Sequence, residues 1–150
     1  MTNKMLPFLM KELNCKEINS LTNRIFLQKK IYLLQKIGFN LGYSYKWFRY
    51  GPYSVALNVE SRSIGSNPSE LNVVLNEEQK HFLNIFFEFS KENENNLKFW
   101  ETAASIVFLK EEHSFLSEES LINKLLELKS HLNKMEVEEI FKKLKLFKII

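Results

Sequence analysis

Cysteine, glycine and proline are all scarce in this sequence, and each shortage narrows the choice of fold. The single cysteine, Cys15, excludes an internal disulfide and is typical of a protein kept in a reducing compartment. Four glycines and three prolines are too few for a sheet protein with many tight hairpins. The composition therefore favours helices.

Long apolar runs are missing as well. No uninterrupted run approaches the roughly 20 apolar residues that a membrane-spanning helix needs. The amino-terminal stretch lacks the apolar centre of a signal peptide, because Pro7 and Lys11 interrupt it. We therefore expect a soluble, cytoplasmic protein with no membrane partner. Its 150 residues, 45% of them hydrophobic, can bury one core, so we predict a single domain over residues 1–150.

The residue patterns of common active sites are absent from the sequence. The three histidines, His81, His113 and His131, do not have the spacing of metal ligands. No glycine-rich phosphate loop and no nucleophile elbow occurs. Glu60 is the only acid between residues 22 and 65, so a pair of carboxylates for acid–base catalysis has no candidate there. We therefore predict a non-enzyme without a metal or cofactor.

Positive charge and tyrosine are concentrated in one part of the chain. Residues 22–65 contain seven basic residues and one acid, a net charge of +6, whereas residues 66–150 contain eleven lysines and fifteen glutamates, a net charge of −4. All five tyrosines lie between Tyr32 and Tyr53. Such a local field can attract phosphates or an acidic protein surface. The alternative is that the lysines only solvate the outer face of a helix.

Apolar periodicity and capping signals predict seven helices. Asn76 with Gln79, and Asn133 with Glu136, have the spacing of capping boxes, and Gly38 is a natural helix stop. Residues 97–110 are apolar almost all round, which predicts the central helix of the core. The predicted ranges are 4–14, 20–37 (beginning at Ser20 or Thr22), 53–63 (after Pro52 at its first position), 76–91, 97–110, 117–130 and 133–145.

One segment has the period of a strand. Between Gly42 and Gly51 the side chains of residues 43–50 alternate, and the segment is rich in aromatics. A lone strand leaves its backbone groups unpaired, so a partner strand is needed. The first candidate is LFKII at residues 146–150, and the second is LNVVL at residues 71–75. The predicted fold is therefore mainly α, a compact helical domain with a small sheet of two or three strands.

The carboxy-terminal part has the outline of a winged-helix module. Two predicted helices, a short turn between them and a final strand follow each other in the order that such modules use. The last helix is a poor match to a DNA-reading helix, because Glu138 and Glu139 lie four residues before Lys142 and Lys143. Those pairs would satisfy their own charges, and the acids would repel a DNA backbone.

The predicted strand offers aromatic faces beside positive charges. This combination suits stacking on bases and contacting phosphates, and it equally suits a hot spot for a protein partner. The alternative for Trp47, Phe48 and Tyr50 is that they only pack onto the helices. We expect reversal of the charges at Arg49 and Lys30 to leave folding nearly unchanged and to abolish partner binding. The candidate interaction residues are Lys29, Lys30, Tyr43, Tyr45, Lys46 and Arg49.

Two neighbouring motifs resemble a known family. LQKKIYLLQ (residues 27–35) and WFRYGPYSVAL (residues 47–57) resemble the helix and the following turn of the Panacea domain family, which includes SocA-like antitoxins and phage-associated proteins, and of the related YwgA-like uncharacterised proteins. The resemblance covers about 35 of the 150 residues. The matching signature residues are Gln28, Lys29, Tyr32, Tyr50, Gly51, Pro52 and Ser54.

The resemblance implies a mainly helical domain with a small sheet that neutralises a toxin through protein contact. The leading hypothesis is thus a non-catalytic protein-interaction module, antitoxin-like or a regulator associated with phage or defence. Its partner would be a toxin or another defence or regulatory protein. The alternative is a nucleic-acid-binding transcriptional regulator. The similarity leaves open whether the signature residues form a binding site or a buried junction between the helix and the turn.

Overall fold

Seven α-helices and one β-hairpin make up the part of the chain that the computed structural model describes, residues 4–64 and 73–150. The chain is therefore mainly helical with a small sheet, as the sequence predicts. In chain order the elements are α1 (Met5–Glu12), α2 (Leu21–Ile37), β1 (Lys46–Phe48), β2 (Gly51–Tyr53), α3 (Val55–Ile64), α4 (Glu77–Ser90), α5 (Leu97–Glu112), α6 (Glu118–Leu128) and α7 (Lys134–Leu146).

Side-chain caps begin the helices where the sequence predicts them. Ser20 rather than Thr22 caps α2, since its hydroxyl accepts a hydrogen bond from the backbone N–H of Asn23 at 3.1 Å. Asn76 and Gln79 form a reciprocal capping box at the start of α4. The box predicted at Asn133 is only half formed, because Asn133 accepts from backbone N–H groups while the Glu136 carboxylate pairs with Lys98 instead. The local sequence thus sets where these helices begin. Side-chain caps are present at Ser20, Asn76, Asn96, Ser117 and Asn133.

Helix α5 is the centre of the core, as its apolar surface predicts. Every residue from Phe99 to Val107 is buried, and Trp100 is the largest fully buried side chain. The helix packs against α2, α6, α7 and β2. The core contains residues from all seven described helices. Burying apolar surface on every side of α5 is the main source of stability that this arrangement offers.

The strand prediction is right in kind and wrong in extent and partner. Strand β1 spans only three residues and pairs antiparallel with β2, in the register Lys46↔Tyr53 and Phe48↔Gly51. The reason is local, because Gly51 has φ +95° and lets the chain reverse at once after Arg49 and Tyr50.

Among the described residues, β1 pairs only with β2 and with neither predicted partner strand. Helix α7 runs to Leu146, and the N–H of Ile149 then bonds to the carbonyl of Leu144, so residues 146–150 close the helix instead of forming a strand. Residues 71 and 72 of the second candidate lie outside the described residues, and residues 73–75 are not a strand. Helices α6 and α7 therefore keep the helix–turn–helix outline without the strand that a winged helix needs.

The third helix begins later than predicted. Pro52 lies in β2, and α3 starts at Val55. The hydroxyl of Ser54 accepts a hydrogen bond from the N–H of Leu57 at 3.2 Å, which is the contact of an N-cap residue. Ser54 thus starts the helix through its hydroxyl.

In the described parts of the chain, no helix is both long enough and apolar enough to cross a membrane.

Candidate functional site

The β-hairpin has a buried base and an exposed tip. We call Lys46, Phe48, Arg49 and Tyr50 the aromatic-basic tip. The base is the region where the other residues of the segment, 43, 45, 47 and 51–54, pack on α2 and α5. Most of the residues predicted from the sequence to be functional divide between these two places.

Lys29 belongs to the base, and the expectation that it is exposed is wrong. The side chain is fully buried, and its Nζ donates a hydrogen bond to the carbonyl of Pro52 at 2.5 Å. The pKa of Lys29 is lowered to about 7, mainly by burial and in smaller part by the nearby Lys129 ammonium, while Glu101 acts in the opposite direction. Lys29 therefore holds the hairpin from inside and cannot contact a partner on the surface.

Two glutamines of α2 hold the backbone of the segment at both ends. The side-chain amide of Gln28 donates to the carbonyl of Ser54 and accepts from its N–H, both at 2.8 Å. The amide of Gln35 pairs in the same way with Tyr43, at 3.0 and 2.9 Å. The two glutamines are roughly two helical turns apart, so they lie on one face of α2. Each satisfies backbone groups that the short sheet leaves unpaired.

Between these clamps two tyrosine rings meet. The rings of Tyr32 and Tyr45 are 4.8 Å apart in an edge-to-face arrangement, and the hydroxyl of Tyr45 lies 3.4 Å from the carbonyl of Gln28. Burial raises the pKa of both phenols, so they stay neutral at physiological pH. Tyr45 was predicted as an interaction residue, and the structure turns its hydroxyl inward instead.

Gly51 fits the base for two separate reasons. Its φ of +95° is a conformation that other residues rarely adopt. A Cβ atom at this position would also lie 2.9 Å from the hydroxyl oxygen of Ser105, which is closer than such atoms approach. Ser105 itself is fully buried, and its hydroxyl has no hydrogen-bond partner among the described residues.

The family-signature residues lie together at this base. Six of them are buried, and Tyr50 is half-buried in the turn. Of the two alternatives that the similarity leaves open, their burial supports the junction between helix and turn. The six buried residues are Gln28, Lys29, Tyr32, Gly51, Pro52 and Ser54.

Lys30 is buried on another side of α2, so the expectation that it is exposed is also wrong. Its Nζ donates to the carbonyl of Leu13 at 2.9 Å and lies 5.5 and 5.4 Å from the ring centroids of Phe26 and Trp100. Reversing its charge would bury a carboxylate against a carbonyl oxygen. The prediction that reversal at Lys30 and Arg49 leaves folding unchanged is therefore withdrawn.

The aromatic-basic tip points into solvent. Lys46, Phe48 and Arg49 are exposed, and 46% of the surface of Phe48 is accessible. The guanidinium of Arg49 lies over the ring of Tyr50, with 5.6 Å between Cζ and the ring centroid. Within residues 4–64 and 73–150, no carboxylate forms an ion pair with Lys46 or Arg49.

Trp47, between these exposed residues, points inward. Its ring packs on Phe108 with centroids 5.6 Å apart, and the Nζ of Lys129 lies 5.6 Å above it. Lys129 is buried and forms a 2.7 Å ion pair with Glu101. The alternation of the strand thus separates the partly buried Trp47, which packs against the core, from the exposed tip residues on either side.

Helix α3, which follows the hairpin in the chain, has an exposed apolar strip that was not predicted from the sequence. Val55 and Val59, one helical turn apart, are 59% and 61% exposed. Tyr53 connects the strip to the tip, since its ring contacts that of Phe48 with 5.4 Å between centroids. Valines at positions i and i+4 next to an aromatic turn are the signal that could have revealed this strip. Tyr43, another predicted interaction residue, is half-buried and donates its hydroxyl hydrogen bond to Glu60 of α3 at 2.7 Å.

Helix α7 does not present a basic face. Glu138 and Glu139 are exposed, whereas Lys143 is half-buried over the rings of Phe89 and Phe99, 5.4 Å from each centroid. The predicted ion pairs within α7 are not formed. The ion pairs that α7 makes are instead with other helices, from Lys98 of α5 to its Glu136 at 3.8 Å and from its Lys145 to Glu118 of α6 at 3.1 Å.

The described residues include no group of three or more acids, histidines and cysteines that could hold a metal ion.

In comparisons with known proteins, no family model, no curated protein and no solved structure matches this chain. The resemblance to the Panacea domain family therefore stays a prediction, carried by the quoted motifs alone.

Proposed function

We propose that the protein is a non-catalytic protein-interaction module whose contact surface is the aromatic-basic tip together with the apolar strip of α3. One observation carries the proposal. Phe48 is 46% exposed between two cations that have no acidic partner within the described residues.

The composition of this surface matches what protein interfaces use. Exposed aromatic and arginine side chains dominate the binding energy of interfaces, and apolar neighbours exclude water around them. Val55 and Val59 supply such apolar neighbours, with about three-fifths of each exposed. Burying these side chains on a partner would gain roughly 25 cal/mol per Å² of apolar surface before the costs of association.

The base makes this surface rigid before a partner arrives. Lys29 and Gln28 bond to the backbone of the returning strand, and Gln35 holds the segment where it enters. A surface that is already ordered loses less conformational entropy on binding. The buried junction and the exposed tip thus have complementary roles in one interaction device.

The side chains of the tip also indicate which groups a partner must present. Phe48 needs an apolar or aromatic pocket, and Lys46 and Arg49 need carboxylates at the rim of that pocket. The Panacea-like motifs suggest that this acidic partner is a toxin or another defence or regulatory protein, so the antitoxin role rests on that resemblance.

The test is co-expression with candidate partners, starting with the product of the neighbouring gene, and measurement of complex formation by affinity purification and titration calorimetry. We expect Phe48→Ala combined with Arg49→Glu to weaken the complex at least a hundredfold. The matched control is Lys91→Glu, an exposed charge reversal away from the hairpin, which should change binding less than twofold. Equal loss of binding in both variants, or none in the tip variant, would overturn the proposed surface.

A nucleic-acid partner is the second candidate, because the stacked pair of Arg49 and Tyr50 also suits an unstacked base beside a phosphate. The salt dependence of the binding affinity distinguishes a nucleic-acid partner from a protein partner. Binding of a single-stranded oligonucleotide through Lys46 and Arg49 should weaken steeply between low and moderate salt, with a slope of roughly −0.7 per phosphate contact. Tight oligonucleotide binding that follows this slope and is lost in Arg49→Glu would favour the second candidate over the first.

A further inference from the structure

A second site lies away from the hairpin, in a cleft between the end of α1 and the start of α2. The cleft has a volume of about 400 Å³, which falls within the range of small-molecule pockets, roughly 300–1,000 Å³. Its lining includes Cys15, Lys16, Glu17, Asn23, Phe26 and Lys30. None of these residues belongs to the surface proposed above.

Lys30 is a buried cation in the lining of this cleft. The residue is only 3% exposed, and its ammonium has one hydrogen-bond acceptor among the described residues, the carbonyl of Leu13. The aromatic rings of Phe26 and Trp100 provide further stabilisation, but no carboxylate within the described residues lies within 4.0 Å. A buried ammonium has three protons to donate, so two donor positions here are without a described hydrogen-bond acceptor.

The other lining residues narrow the class of ligand. Lys16 and Glu17 offset each other, and Glu94, which accepts a hydrogen bond from the lining residue Asn14, adds a second negative charge beside the cleft. The one buried cation of the cleft, Lys30, therefore suits a monoanion better than a phosphate dianion. Cys15 is no competing anion, because burial raises the pKa of its thiol to about 11. The side-chain amide of Asn23 adds polar capacity, and the ring of Phe26 offers a flat apolar wall.

We propose that this cleft binds a small organic carboxylate, with the carboxylate group on the Lys30 ammonium and a planar apolar body against Phe26. A charge-assisted hydrogen bond to a buried ammonium is among the stronger polar contacts available to a ligand. The proposal does not depend on the hairpin surface, since it uses different residues.

Sodium benzoate and benzamide are the probes that test it, because they share size and ring and differ in charge. Each is titrated into ¹⁵N-labelled protein while amide chemical shifts are recorded. We expect benzoate to shift the amides of Cys15, Asn23, Phe26 and Lys30 saturably, with an affinity at least tenfold above that of benzamide. Equal affinity of the two probes, or benzoate shifts spread over exposed lysines elsewhere, would overturn the proposal.

Single substitutions then test which lysine binds the carboxylate of benzoate. Lys30→Met should lower benzoate affinity at least tenfold, whereas Lys16→Met at the exposed rim should lower it less than threefold. Phe48→Ala should leave benzoate binding unchanged, which separates this site from the hairpin surface. Wild-type affinity in a folded Lys30→Met would disprove the role of this ammonium. If Lys30→Met does not fold, the two probes and their shift maps in the unaltered protein decide the question.

Discussion

The base and the tip of the hairpin are built from the same kinds of residue and have opposite environments. Lys29 at the base is fully buried against a carbonyl oxygen, whereas Arg49 at the tip is exposed over a tyrosine ring. Both residues lie in the same segment, residues 22–65, which has a net charge of +6 and contains all five tyrosines. Composition therefore pointed to this segment, while packing decided which of its charges are exposed to solvent.

The largest expected effect comes from reversing one charge in each region. Lys29→Glu should lower the free energy of unfolding by about 4 kcal/mol or more, because it places a carboxylate against the Pro52 carbonyl in a buried site. Arg49→Glu should change it by less than about 0.5 kcal/mol, as exposed substitutions usually do. Urea denaturation measures both. Similar stabilities for the two variants would erase the distinction between base and tip.

The neighbouring strand residues Trp47 and Phe48 sharpen the comparison at the level of single side chains. Trp47→Ala removes a ring packed on Phe108 and should lower the free energy of unfolding by about 3–4 kcal/mol. Phe48→Ala should lower it by about 1 kcal/mol or less, because almost half of that side chain is already in water. Thermal and urea unfolding of the two variants provide the measurement. A larger loss for Phe48→Ala would mean that the strand faces are reversed.

The two hydrogen bonds between Gln28 and the backbone of Ser54 should contribute an intermediate amount to the free energy of unfolding. Gln28→Ala leaves a buried backbone N–H and a buried carbonyl without their partners, which should lower the free energy of unfolding by about 2–3 kcal/mol. Gln35→Ala is the matched control, since its clamp at Tyr43 is only partly buried and should cost about half as much. The prediction fails if the two alanine variants are equally stable.

The last prediction concerns the buried Lys29, which should make the free energy of unfolding depend on pH. The folded-state pKa of Lys29 is about 7, below the ordinary value of 10.5, so above pH 7 the unfolded chain binds a proton that the folded protein has released. Stability therefore rises with pH over this window, by up to about 1.4 kcal/mol per pH unit. Below pH 7 this contribution is flat.

Urea unfolding of the wild type and of Lys29→Met at pH 7.0–8.5 isolates this term, because the methionine variant lacks the titrating group. The raised pKa of Cys15 acts in the opposite direction only as pH approaches 9 and above, since the unfolded thiol then ionises first. A wild-type slope no steeper than that of Lys29→Met would contradict the buried, readily deprotonated lysine.

Much of the helical architecture could be predicted from local signals. Ser20, Asn76, Ser117 and Asn133 cap helices because their side chains reach backbone N–H groups only two or three residues away. The central position of α5 followed from its lack of a polar face. The fold class needed nothing beyond such short-range chemistry and hydrophobic periodicity.

The burial of Lys29 and Lys30 and the pairing of β1 were decided by the tertiary structure. Lysine is among the residues least often buried, so a helical wheel places it outside unless backbone acceptors from distant segments are known to reach it. Those acceptors, the carbonyls of Pro52 and Leu13, lie 23 and 17 residues away along the chain. The close approach of Gly51 to the Ser105 hydroxyl likewise appears only in the folded structure, since a Cβ atom there would lie 2.9 Å from that oxygen.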